Sequence, residues 1–243
     1  MQHVVDIIAR KLGEHSSVTD TVVTALGRLT PQVRALAPRE DIVRQGDKPS
    51  VSVVVLEGML SRYHTLSNGR RQYLSFHIAG DLPDLQALFV EKMDHAVCAI
   101  DEAQVALVPH AQLHEQIDKV PDFASALWRE TLIDAAIFRE AITNNSARDP
   151  RARIAHFLCE CYYRARAGKQ ERQGVCRLPL SQTQLGEALG ISVVTVNRMV
   201  QQLRRTKAVD WVGHKLHVLN WQQLCELGEF DPAYLHLKRP LRM

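Results

Sequence analysis

Four side chains at the start of one short run carry the most pointed chemistry in this sequence: Val193, Val194, Asn197 and Arg198. An arginine at the tip of a helix can donate twice, to O6 and N7 of guanine in the major groove. Asn197 can reach a base edge or a phosphate. Val194 accepts no hydrogen bond and can only pack, for example on a thymine methyl. Around these four stand Ser181, Thr183, Ser192, Thr195, Arg204 and His214. Hydroxyls and cations of this kind suit phosphate contacts, which set affinity and salt dependence more than sequence choice. The chemistry implied is recognition of double-stranded DNA.

The residues between and behind them predict the elements that would present them. Ser181 is an N-cap, with Leu185 and Leu189 four apart on one face. Gly190 suits the left-handed end of that helix, and Ser192 caps a second. Val196, Met199, Val200 and Leu203 give the second helix its apolar face. Gly186 lets the second helix cross closely. Apolar spacing alone would fit any helical hairpin. The joint fit of two caps, a small residue, a turn glycine and the apolar set instead gives a helix-turn-helix whose second helix enters the major groove. Arg204, Arg205 and Lys207 follow, then a two-stranded hairpin over 210–218, a wing with Gly213 and His214 at its tip.

Charge separates along the chain. Residues 1–147 hold 14 Lys/Arg against 19 Asp/Glu, a balance of −5, whereas 148–215 hold 13 against 5, a balance of +8. A basic segment around the helix-turn-helix is the electrostatic footprint of phosphate contact. No apolar run approaches the roughly 20 residues of a membrane span. Charges interrupt the apolar part of MQHVVDIIARKLGEHSS early, so it does not read as a signal peptide, and a cytoplasmic protein is expected. The five cysteines are scattered and odd in number, which argues against a disulfide framework. Cys159 and Cys161, two apart on a helix, point roughly 200° apart and cannot chelate one metal together; they read as packing.

Residues 1–30 predict one or two amphipathic helices, ended by Pro31. Over 32–109 the pattern changes to short β-type runs: 33–37, 41–44, 51–56, 59–66, 70–78, 95–100 and 104–108. Ser67-Asn68-Gly69 is a hairpin signal, and Gly46-Asp47, Glu57-Gly58 and Gly80-Asp81 mark other corners. Many short strands with regular turns predict a sandwich or roll. A helix over 110–120 follows. A long one over about 123–145 has two apolar faces: Phe123, Leu127, Ile137 and Ala141, and separately Trp128, Leu132, Ala135, Phe138 and Ile142. The second face predicts packing on a second chain, a homodimer reading two half-sites. Asp149-Pro150 restarts a helix to about Ala167, with a loop over 168–174 and a short strand over 175–180. A weak helix, 221–227, and an aromatic tail able to dock come last.

A roll, a long helix, a basic helix-turn-helix and a wing, in that order, resemble the CRP/FNR superfamily of bacterial transcription regulators, from about Val33 to Val218. The most specific matches are Arg153-Ile-Ala155, Gln184-Leu-Gly-Glu-Ala-Leu-Gly-Ile-Ser192 and Thr195-Val-Asn-Arg198. The resemblance implies an α+β chain in three parts: N-terminal helices and a double-stranded, cyclic-nucleotide-type β-roll sensor over 1–121, a dimerisation helix over 122–147, and a winged helix-turn-helix with its tail over 148–243. It implies RNA polymerase as a further partner, and no enzyme activity.

The departures from the family pattern matter. Members that bind cyclic AMP hold the ribose with a Gly-Glu pair and the cyclic phosphate with Arg-Ser. Here Asp84-Leu85 and His95-Ala96 stand in those places, and Phe138 and Arg139 replace small hydroxyl residues beside the adenine. A buried phosphate needs a fixed cation, whereas His95 is mostly neutral at pH 7 and Asp84 and Asp94 add repulsion. Asp84, Leu85, His95, Ala96, Phe138 and Arg139 therefore mark an altered effector pocket, and cyclic AMP is not the expected effector. Members with an iron–sulfur cluster hold it through N-terminal cysteines, and no cysteine precedes Cys98. His64, His77 and His95 keep haem as an alternative, but no cofactor is expected. A regulator of unknown small-molecule effector, or of none, controlled by abundance or oxidation, is the main expectation. A cupin-type metal enzyme would need a His-x-His in the roll, and there is none.

Overall fold

The computed structural model describes residues 2–241. The chain divides into two compact units, Met1–Asp134 and Ala135–Met243, with the boundary inside one long helix.

The first unit begins with α1 (Gln2–His15) and α2 (Asp20–Gly27), followed by seven strands. These are β1 (Gln32–Leu36), β2 (Asp41–Val43), β3 (Val51–Glu57), β4 (Leu60–Thr65), β5 (Arg71–His77), β6 (Ala96–Ala99) and β7 (Ala103–Pro109). They form two antiparallel sheets, ordered β1-β7-β3 and β2-β6-β4-β5. A 3₁₀ turn, Leu85–Leu88, lies between β5 and β6. α3 (His110–Lys119) leads to α4 (Pro121–Ala147).

The period-two alternation of β3 explains the layering. Val53 and Val55 face between the sheets, with Leu36, Leu60, Val97 and Val105. Val54 and Leu56 face the other way, onto Leu12, Leu26, Leu113, Phe123 and Leu127 of the helices. A strand buried on both faces therefore reads as an unbroken valine run. A partly buried charge cluster adds to this: Lys11 lies 3.1 Å from both Glu14 and Asp81, and His15 Nδ1 lies 2.8 Å from Glu130 on α4.

The second unit contains the rest of α4, then α5 (Pro150–Ala167), β8 (Val175–Arg177), α6 (Gln182–Leu189), α7 (Val193–Arg205), β9 (Val209–Val212), β10 (Lys215–Val218) and α8 (Trp221–Gly228). The three strands form one antiparallel sheet, β8-β10-β9. Asp149 caps α5 by accepting from the amides of Arg151 and Ala152. The aromatic tail is docked: Phe230 and Tyr234 join Tyr163, Trp221 and His156 in a ring cluster with centroids 5.2–6.1 Å apart.

Some boundaries differ from the sequence expectation. The strand expected over 175–180 stops at Arg177, because Pro179 has no amide to donate; Leu178 N instead donates to the carbonyl of His214. The strand expected over 95–100 narrows to Ala96–Ala99, since His95 is turned toward Asp94 and Gln86. The long helix extends to Pro121–Ala147.

Candidate nucleic-acid interface

The presentation of α7 follows from local chemistry. Ser181 Oγ accepts from the amide of Gln184, while Gln184 Oε1 accepts from the amide of Ser181, a reciprocal cap at the start of α6. Gly190 ends α6 at φ 66°. Ser192 Oγ accepts from the amide of Thr195 and starts α7. A Cβ built on Gly186 would lie 2.7 Å from the carbonyl oxygen of Ile191, so only glycine admits this turn. Arg153 holds α6 from behind by donating to the carbonyl of Leu189 at 2.9 Å. Val196, Met199, Val200 and Leu203 bury the inner face of α7.

What remains outside is the expected set. Val193, Val194, Asn197 and Arg198 are exposed at the N-terminal end of α7, and Val194 is 75% exposed. Ser181, Thr183, Ser192, Arg204 and His214 are exposed too, and Thr195 is half-buried, sharing a hydrogen bond with Ser192. Two engagements were not legible beforehand. Asn197 Nδ2 donates to Gln182 Oε1 at 3.1 Å, so Gln182 fixes the direction of the asparagine amide. Arg204 Nε lies 2.7 Å from Asp210 of the wing strand, so a phosphate would have to compete with that carboxylate for it.

The six positions expected to mark an altered effector pocket fall in both units. Asp84, Leu85, His95 and Ala96 lie in the first unit, and Phe138 and Arg139 in the second. Asp84 is not an exposed carboxylate facing a ligand, which corrects the sequence reading. It is fully buried, and its Oδ1 accepts from the amide of Val53 at 2.8 Å. Burial pushes its carboxyl up to about 7. Leu85 is buried in the layer between the helices and the outer face of β3 and β7. His95 is buried; its Nδ1 donates to Asp94 Oδ1 (2.8 Å) and its Nε2 accepts from Gln86 Nε2 (3.2 Å). Desolvation first, then the positive Arg62, holds its imidazole below the usual range despite Asp94. Both ring nitrogens of this buried histidine are therefore engaged within the roll.

Sequence reasoning missed Arg62 and Asp134. Arg62 shares the inward pleat of β4 with Leu60 and is 3% exposed. Its Nε donates to the carbonyl of Pro83 and its Nη1 to Asp134 Oδ2 on α4, both at 2.6 Å. The available signal was an arginine on the apolar face of a strand, which demands a buried counter-charge. Beside the 3₁₀ turn is an apolar cavity of about 420 Å³, lined mainly by Leu85, Phe89, Val90, Leu127 and Trp128. Among the described residues no group of three or more His, Cys, Asp or Glu is placed to hold a metal ion, and no helix is long and apolar enough to cross a membrane.

Asp84 makes a pH prediction. Its proton is held more tightly in the fold than in the unfolded chain, where the ordinary value is 3.8. Stability from this group is therefore present below 3.8 and is lost as pH rises toward about 7. The difference is worth at most ~4 kcal/mol. Thermal melts should show the midpoint falling between about pH 4 and about pH 7, and Asp84→Asn, which stays neutral, should flatten that fall. An unchanged slope in the variant would assign the dependence to other groups.

Comparison with known proteins agrees with this architecture. Residues 33–120 match the model of the cyclic nucleotide-binding domain, and residues 152–227 that of the Crp-like helix-turn-helix domain. The chain is 26% identical over 212 residues to the transcriptional activator protein Anr of Pseudomonas aeruginosa, covering 87% of this chain and 86% of that one. It is 27% identical over 182 residues to the nitrogen fixation regulation protein FixK of Rhizobium meliloti, covering 73% and 77%. The solved structure of FixK2 from Bradyrhizobium japonicum superposes with a TM-score of 0.74 at 26% identity, over 82% of this chain and 98% of that one. A roll, a long helix and an exposed, capped recognition helix, matched by both domain models and by relatives along the chain, make this protein a DNA-binding transcription regulator of the CRP/FNR family.

Proposed function

We propose that this regulator binds a palindromic duplex as a cytoplasmic homodimer, with no need for cyclic AMP. The observation that carries the DNA reading is the free end of α7: Val193, Val194, Asn197 and Arg198 exposed together on a helix whose other face is buried. Arg198 reads a guanine, Val194 favours a thymine methyl, and Asn197 meets a neighbouring base edge or phosphate. Ser181, Thr183, Ser192, Thr195, Arg204 and His214 meet phosphates and set the salt dependence. Functionally the chain then falls into a sensor over 1–121, a dimerisation helix over 122–147 and a DNA-binding part over 148–243.

Support for the dimer comes from α4. Trp128, Leu132 and Ile142 are 64%, 51% and 68% exposed. With Ala135 and Arg139 they recur at alternating steps of four and three, the seam of a two-stranded coiled coil. Phe138, expected on this face, is half-buried, and Arg139 takes its place on the seam. Support for independence from cyclic AMP comes from His95, buried and neutral, and Asp84, committed to Val53. RNA polymerase is the further partner that the family implies, and we assign the chain no enzymatic role.

The test is selection from a random duplex pool by the purified full chain, with no effector added. The expected outcome is an enriched palindrome with a guanine in each half-site. Failure to enrich any sequence, with or without added cell metabolites, would overturn the DNA reading.

A further inference from the structure

We propose that Arg62 is an anion-binding site of the roll which the chain fills with its own Asp134, so that α4 is held to the roll by an internal counterpart of an anionic effector. The inference rests on the effector-independent reading above and deepens it.

A guanidinium cannot shed its proton inside a protein, so burying it requires a counter-anion and satisfied donors. Arg62 is buried inside the roll, yet its carboxylate partner does not belong to the roll. It comes from Asp134, 72 residues further along and half-buried on α4. A second carboxyl, Asp84, accepts from the amide of Val53, and burial raises it although Arg62 acts the other way, so it does not supply a full counter-charge near neutral pH. The Pro83 carbonyl fixes Nε and aims the fork at α4. A tethered carboxylate acts at a high effective concentration, so free anions do not displace it. His95 does not take this role: burial holds its imidazole below the usual range, and the ring is turned toward Asp94 and Gln86.

Chemical rescue tests this in the full chain. Asp134→Ala leaves Arg62 without its carboxylate. The melting midpoint should drop by about 3–8 °C, and affinity for the enriched duplex should fall about tenfold or more as α4 loosens. Added acetate, a free carboxylate of the deleted size, should restore both quantities saturably. Chloride at equal ionic strength should not. Wild type should not respond to acetate, and neither should the Arg62→Met, Asp134→Ala double variant. Wild-type melting and affinity in Asp134→Ala without acetate would overturn the proposal, as would equal acetate effects in the double variant. If Asp134→Ala does not fold, Asp134→Asn carries the same comparison of melting and affinity. Should the chain bind no duplex at all, the DNA reading fails, while the melting arm still decides whether Arg62 takes a carboxylate.

Discussion

Arg198→Ala lowers affinity for the enriched palindrome by about 30-fold to 10⁴-fold. Each half-site loses a bidentate guanine contact worth about 1–3 kcal/mol, and a symmetric dimer loses it twice. Arg198 is exposed at the end of α7, and the helix's core side is built from Val196, Met199, Val200 and Leu203. The melting midpoint should therefore stay near wild type, since exposed positions away from caps change stability by about 0.5 kcal/mol or less. Discrimination at one base pair per half-site should relax while binding to unrelated DNA persists. Val194→Glu adds a carboxylate that can accept from cytosine N4, so the same selection should then favour cytosine at one position. A fluorescence-anisotropy titration checks the first effect. An affinity for the selected duplex that is unchanged in Arg198→Ala would remove this residue from the interface.

The second large effect belongs to α4. Ile142→Asp should convert the chain to a monomer at micromolar concentration and lower duplex affinity by at least about a hundredfold. In the proposed dimer two aspartates would be brought together where two isoleucines would otherwise meet by symmetry, which removes apolar burial and adds like-charge repulsion. Ile142 is 68% exposed in the single chain, so the isolated fold should be little affected. Arg139→Leu should act in the opposite direction, because a charged side chain on a coiled-coil seam weakens the pair while fixing its register. Sedimentation of wild type and both variants reads this directly. A monomeric wild type, or an unaltered dimer in Ile142→Asp, would place the interface elsewhere.

How much of this was legible in the sequence depends on the reach of each interaction. The helix-turn-helix was legible because its determinants are local. Ser181 and Gln184 cap each other across three residues, Gly190 supplies its own left-handed turn, and Ser192 meets Thr195. The double burial of β3 was visible as a valine run, although nothing in the run says which valines face the sheets. Strand ends were less legible, because they are set by partners: Pro179 ends β8, and His95 is drawn away from β6 by Asp94 and Gln86. The roll's polar interior was misread. Asp84 meets an amide 31 residues away and Arg62 meets a carboxylate 72 residues away. Such pairings are decided by tertiary packing, and a motif comparison can register that a ligand-holding residue is missing without showing what replaced it.

Independence from cyclic AMP is the central claim, and the most direct measurement is duplex affinity with and without it. Purified chain is titrated into the enriched palindrome in the absence of nucleotide and again with cyclic AMP in the millimolar range, beside calorimetry of nucleotide alone. Affinities equal within about twofold are expected, with no calorimetric site tighter than about 1 mM, because a buried phosphate needs a fixed cation, while burial holds His95 below its usual range and Arg62 is engaged by Asp134. A micromolar calorimetric site together with an affinity gain of about tenfold or more would contradict it.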